Sequence, residues 1–275
     1  MALKFKGNIK TAGTLKGNAG AQAPTTLLGM IESLGLDNAD LMVVLDANDP
    51  ASLSNFEADG KWLNVAPGND TAFWHAIGDG AFLIIDGKGN NVLQLVPNVS
   101  TKFNPANDAT WQRTLANAAL GSDGDSCTVI AMGSRTIPTT APASAWWSNW
   151  GNHGGQAGIH SFEEGTTTKS HASYYPNDVV SALPGFPTSS EIYFAGWNFS
   201  KVTNQAGIWH NNNRIATGTH VRTYGTSEGP FIIGGIPGAN YTARQYQFNA
   251  FAVWRNEITE QNLLDLYNLL ATRIA

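Results

Sequence analysis

The last thirty residues constrain the fold more than any other stretch. In QYQFNAFAVW, residues 245–254, Tyr246, Phe248, Ala250, Ala252 and Trp254 recur at every second position, while Gln245, Gln247 and Asn249 alternate with them until Phe251 and Val253 take over. Period-two alternation is the mark of a strand with one buried face. A strand whose second face turns apolar only near its end suits a two-sheet sandwich covered locally by something else. Then the period changes. Leu263, Leu266, Tyr267, Leu270 and Ile274 fall on one helical stripe, Thr259 is placed to cap the start, and Ile258 with Leu263 occupies the staple positions. Arg273 sits in the last turn, where a positive charge is favoured.

Upstream the chain is strand and turn. LMVVLDA, AFLIID, NVLQLV, SCTVIAMGSRT, EIYFAGWNFS, AGIWH, RIATGT and PFIIGG are apolar or alternating runs separated by turn residues. Gly87–Asn90 and Asn211–Asn213 read as hairpin turns. Only 13% of residues are charged, about half the usual share, so glycine, asparagine, serine and threonine supply the surface. The expected class is all-β. TTLLGMIESLGL adds a short amphipathic helix, with Thr25 or Thr26 as cap and Gly35 at its end.

Residues 1–24 differ from the rest. Lys4, Lys6, Lys10 and Lys16 fall there, no acid precedes Glu32, and Leu3, Phe5, Gly7 and Ile9 alternate with polar residues. Three readings stand: a frayed tail, a basic extended arm docking on an acidic neighbouring subunit, and a nucleic-acid contact. The overall charge of −5 argues against nucleic acid as the main partner of the whole chain. No run approaches the ~18 apolar residues of a membrane helix. The N-terminus lacks the apolar core of a signal peptide, so synthesis in the cytoplasm is expected. Cys127 is the single cysteine, which excludes an intrachain disulfide.

VVLDANDPASL, DGKWLNVAPGND, GIWHNNNRI, PFIIGG and FNAFAVWRNEITEQNLLDLYNLL, in that order, resemble the landmarks of the laminin G-like, concanavalin A-like jelly-roll family. Phe248, Phe251, Val253, Trp254, Asn256, Ile258, Thr259 and Leu263 match its closing strand-and-helix pattern, whereas Ala250 replaces the usual glycine. The resemblance implies a two-sheet antiparallel jelly-roll sandwich over residues 41–275, preceded by an arm (1–24) and a helix or linker (25–40). Cytoplasmic synthesis and a basic arm resemble virion proteins of tailed bacteriophages, where such modules serve as capsid decorations, head fibres or tail components. That context implies a non-enzymatic structural protein of the virion, a homo-oligomer contacting other virion subunits. The arm residues Lys4, Phe5, Lys6, Ile9, Lys10 and Lys16 would anchor it. The alternative is an adhesin module that recognises host surface polysaccharide.

Chemistry is sparse. Gly225-Thr226-Ser227-Glu228-Gly229 has nucleophile-elbow spacing, but the run after it reads as a strand where the mechanism needs a helix. Glu163 and Glu164 are adjacent, so on a strand they face opposite ways and do not make a glycosidase pair. The six histidines lack zinc-site spacing. No cofactor is expected beyond calcium at Asp123 and Asp125, a position the family resemblance suggests. ASAWWSNWGNHGGQAG is the segment that asks for a function. Tryptophan faces stack on sugar C–H faces, and amides and imidazoles bond hydroxyls, so Trp146, Trp147, Trp150, Asn152 and His153, with Trp209, are candidate glycan contacts. Core packing and a subunit interface are the competing readings of the same rings.

Overall fold

A computed structural model describes residues 24–68, 73–77, 81–95, 102–105, 126–136, 144–148, 160–163, 169–173, 179–182, 189–219, 231–234 and 245–274. Among the described residues sixteen strands form two antiparallel sheets of eight. The first runs β14 (Asn213–Thr219), β13 (Gln205–His210), β12 (Ser189–Ser200), β7 (Cys127–Thr136), β16 (Gln245–Trp254), β5 (Asn91–Leu95) and β4 (Ala81–Ile85). β1 (Leu41–Asp46) joins it on β16, because β16 pairs with β5 through residues 246–248 and with β1 through 250–254. The second runs β11 (Val179–Val180), β10 (Ser170–Ser173), β9 (His160–Glu163), β8 (Ser144–Ser148), β15 (Ile232–Ile233), β6 (Lys102–Pro105), β3 (Phe73–Ile77) and β2 (Lys61–Leu63). The fold is an all-β, two-sheet antiparallel sandwich, as the strand patterns required.

Two hydrophobic layers hold it. Between the sheets lie Trp62, Trp74, Trp146, Trp147, Tyr193, Trp197, Phe199, Phe231, Tyr246, Phe248, Phe251 and Val253, among others. The outer face of the first sheet carries a second layer of Val44, Ile130, Met132, Phe194, Ala250, Ala252 and Trp254. Helix α1 (Leu27–Ser33) and the C-terminal helix, α4 (Glu260–Ile274), cover it with Leu27, Met30, Ile31, Leu263, Leu266 and Leu270. Each of those leucines, fully withdrawn from water, contributes about 1.5–3 kcal/mol of transfer free energy. Two short helices, α2 (Pro50–Leu53) and α3 (Phe56–Asp59), lie between β1 and β2.

The helix ends follow from their caps. The Thr26 side chain accepts a hydrogen bond from Gly29 N, and beyond the helix Gly35 takes φ +66°, a left-handed conformation. Thr259 Oγ1 accepts from Asn262 N at 3.2 Å, and Ile258 and Leu263 are both buried, as the staple positions predicted. Asn211, in the β13–β14 turn, has φ +52° and Oδ1 accepting from Phe194 N at 3.0 Å.

Strand β16 departs from the simple alternation. Tyr246 and Phe248 point into the sandwich, but Ala250, Ala252 and Trp254 do not share their face. A register irregularity against β7 between Phe248 and Ala250 inserts one residue, so the alternation inverts at Asn249. Beyond it Phe251 and Val253 face the other sheet, while Ala250, Ala252 and Trp254 lie under the helices. Two alanines there leave room for a helix to approach, and Trp254 Nε1 donates to Leu36 O at 2.9 Å. The sequence expectation of one continuous face is corrected by that bulge.

Candidate functional site

The tryptophan segment is resolved by a second bulge. Ala145 pairs with Phe162 and Ser148 with His160, so Trp146 and Trp147 together oppose Ser161. Ser161 Oγ accepts from both backbone N–H groups, at 2.9 and 3.2 Å. Two consecutive residues set against one lose strict alternation, which lets neighbouring indoles enter the same core. Trp146 packs edge-on against Tyr193, Tyr246 and Phe248, with centroid distances of 5.6, 5.2 and 5.5 Å. Trp147 stacks on Phe231 at 5.5 Å and 4°. Gly133 is required beneath them, since a Cβ there would lie 2.1 Å from Gln247 O and 3.1 Å from the Trp146 ring.

Both indoles are 0% exposed, and Trp209 is 2% exposed. Trp209 Nε1 donates to Asn198 Oδ1, and the Arg214 guanidinium lies 5.7 Å over the ring. A ring with no accessible face cannot stack on a sugar, so the expectation for Trp146, Trp147 and Trp209 is corrected: they are packing residues. Trp150, Asn152 and His153 lie outside the described residues, as do Asp123 and Asp125 and the arm residues Lys4, Phe5, Lys6, Ile9, Lys10 and Lys16. Among the described residues no three His, Cys, Asp or Glu side chains gather as a metal site.

The described surface does assemble one shelf of ligand-like chemistry. On the first sheet, Phe82 of β4 pairs with Gln94 of β5, which pairs with Gln247 of β16, which pairs with Ser134 of β7. Their flanking neighbours Leu83, Leu93, Leu95, Tyr246 and Phe248 belong to the inter-sheet core, so this row faces outward. Ser134 Oγ donates to Gln247 Oε1 at 2.9 Å, and Gln247 Nε2 donates to Gln94 Oε1 at 3.0 Å. The relay leaves the Gln94 Nε2 donors unused by any described side chain. Beside it Phe82 is 50% exposed, whereas no aromatic side chain of the inter-sheet core exceeds 6%.

Helix α4 sets the limit of this shelf. Two residues further along β16, Asn249 is buried and accepts from Arg273 Nη1 at 3.1 Å, so the last turn of the helix covers the neighbouring row. At ~4.8 Å between strands the accessible part of the row, from the exposed Phe82 through the half-buried Gln94 and Gln247, is about 10 Å long, and Ser134 beyond it is buried. The row's chemistry is an apolar ring at one end and half-buried amide groups along the rest. Nothing in it supplies a nucleophile or a paired acid. The sequence signal was Gln94 interrupting the apolar run of NVLQLV and Gln247 alternating with Tyr246 and Phe248, but only the strand register places them side by side.

The same sheet holds a buried ion pair. Asp46, 0% exposed, accepts from Arg273 Nη1 and Nη2 at 2.9 Å each, and from Asn48 N and Leu27 N. Arg273 Nη2 also donates to Thr25 O, and Asn90 Nδ2 donates to Arg273 O. Asn249 Nδ2 donates to Asn91 O at 2.7 Å. This network binds α1, β1, the β4–β5 hairpin, β16 and α4 at one corner. Its carboxylate and the two terminal guanidinium nitrogens are taken up by each other and by backbone and amide groups of the protein, so it is a fastening rather than a site.

No protein-family model and no curated protein sequence matches the chain. Solved structures do. The sialidase of Trypanosoma rangeli in complex with a difluoro-KDN superposes with a TM-score of 0.59 at 13% identity, over 86% of this chain and 34% of the sialidase. The binding domain of Paraclostridial Mosquitocidal Protein 1 gives 0.58 at 12%, over 83% of this chain and 52% of that one. The binding domain of botulinum neurotoxin DC in complex with SialylT gives 0.56 at 11%, over 85% and 52% respectively. The chain thus spans about a third to a half of each. At such identities the likeness shows the fold alone: a two-sheet β-sandwich of the jelly-roll kind.

Proposed function

We propose that this chain is a non-enzymatic carbohydrate-binding module, with the Phe82–Gln94–Gln247 shelf as the place where a glycan lies and the buried Ser134 holding Gln247 in place. The observation that carries this reading is the exposed Phe82 ring set in register with an amide relay on a stretch of sheet that no described helix covers. An aromatic face takes sugar C–H groups, and the carboxamides offer both donors and acceptors to hydroxyls. Support comes also from the neighbours in fold space. One is a botulinum binding domain held with SialylT, and botulinum neurotoxin type C interacts with two ganglioside molecules.

The test is titration of the full chain with a panel of neutral and sialylated oligosaccharides, followed by Phe82→Ala and Gln94→Ala. Each variant is expected to weaken binding about tenfold, equivalent to about 1.4 kcal/mol, with an unchanged melting temperature. Absence of binding at millimolar sugar, or binding indifferent to both variants, would overturn the assignment.

A second reading concerns where the module works. The basic arm and the family resemblance favour a structural subunit of a tailed-bacteriophage virion, anchored through Lys4, Phe5, Lys6, Ile9, Lys10 and Lys16 with the sandwich outward. Antibody labelling of purified particles tests it: label on the particle surface supports the virion role, and label confined to the soluble fraction refutes it.

A further inference from the structure

We infer that the β4 edge of the first sheet is a docking strip for the N-terminal segment of a second copy of this chain, Leu3–Ile9 adding as a further strand. The docking needs no glycan, but because the strip includes Phe82, a docked segment and the glycan proposed above would compete for that ring.

Among the described strands β4 is the last in its sheet, and it reads AFLII, five apolar residues with no charge and no proline. Natural sheet edges are normally blunted by lysine, proline or a bulge, because a flat apolar edge templates pairing with another chain. Here the opposite device is present: Phe82 is 50% and Ile85 70% exposed, on opposite faces of the strand. Any segment paired to this edge gains backbone hydrogen bonds along about 17 Å and covers both side chains.

The occupant is indicated by the sequence outside the described residues. Leu3, Phe5, Gly7 and Ile9 alternate with polar positions, the pattern of a strand that buries one face. Charge agrees as well. Residues 1–24 carry four lysines and no acid, while the whole chain carries −5, which leaves −9 on the remainder. Asp86 follows Ile85 directly at the end of the edge.

The root of the segment lies close to the strip. Thr25 O accepts from Arg273 Nη2, and Arg273 O accepts from Asn90 at the β4–β5 turn. The residues next to that root in sequence are 14–23, TLKGNAGAQA. That stretch has two glycines and three alanines, the wrong chemistry for a strand partner. The strand-like residues stand 14 positions further out, a spacer reaching about 46 Å when extended. Such reach suits a neighbour's edge.

Hydrogen exchange of the full chain at two concentrations, with sedimentation equilibrium, tests the inference. Amides of residues 81–85 are expected to gain at least tenfold protection as concentration rises and the chain self-associates, and high salt should weaken both effects. Phe5→Asp with Ile9→Asp should abolish association and protection while leaving the melting temperature unchanged. Ile85→Lys on the edge should do the same. A chain that stays monomeric at about 100 μM overturns the inference. So does association that survives the Phe5/Ile9 pair, or protection of β4 that is independent of concentration, which would mean docking within one chain. Glycan titration of the Phe5/Ile9 variant separates the two proposals, since sugar binding should persist in it.

Discussion

Removing the carboxylate of Asp46 by Asp46→Asn is the sharpest test of how this sandwich is fastened. Asp46 is 0% and Arg273 8% exposed, and the two share a pair of 2.9 Å hydrogen bonds from Nη1 and Nη2. The asparagine keeps one acceptor oxygen but sets an NH2 group against guanidinium donors, leaving a buried cation without its counter-charge. Breaking one partner of such a pair costs about 3–5 kcal/mol, far more than the pair itself is worth. With a urea m-value near ~3 kcal/mol/M for a chain of this size, the unfolding midpoint should fall by about 1–1.7 M. Replacing both partners, Asp46→Leu with Arg273→Met, removes the stranded charge and should recover a large part of that loss. Equilibrium urea unfolding, followed by tryptophan fluorescence, reads all of these variants. A loss below 1 kcal/mol for Asp46→Asn, or a double variant worse than the sum of its parts, would refute the reasoning.

Two further outcomes follow from the core and the titrating groups. Trp147→Ala removes a ring stacked on Phe231 and should cost about 3–5 kcal/mol, with sugar affinity of the folded fraction unchanged; a selective loss of sugar binding would return the ring to the surface. Burial pushes the His210 imidazole below its ordinary value, so the unfolded chain binds the proton first. Stability is then expected to fall as pH drops through about 6.5, and His210→Gln should flatten that slope; a parallel slope in the variant counts against it.

Much of this protein was legible in its residues. Alternation marked the strands, the Thr25-Thr26 pair and Thr259 announced their helices, and Asn211–Asn213 marked a turn, because each is a short-range property of backbone and side chain; the structure then chose Thr26 as the cap and Asn211 as the left-handed residue. The candidate site was not. Gln94 and Gln247 are 153 positions apart, and their hydrogen bond exists because β5 and β16 are neighbours in the sheet. Arg273 looked like a favourable charge at a helix end; it is instead the centre of a buried network, since the bulge at Asn249 and the position of Asp46 bring an acceptor within reach.

What the sequence alone determined, then, is class: a low-charge β-sandwich with a helix at its C-terminal end and a chemically distinct basic segment at the other. What tertiary structure decided is the facing of individual rings. Period two predicts opposite faces for Trp146 and Trp147, yet two backbone N–H groups converging on Ser161 turn both inward. A single inserted residue reverses every side chain beyond it, and an insertion is defined only against the partner strand. That is why the tryptophans became core and an unremarked phenylalanine on an edge became the exposed ring.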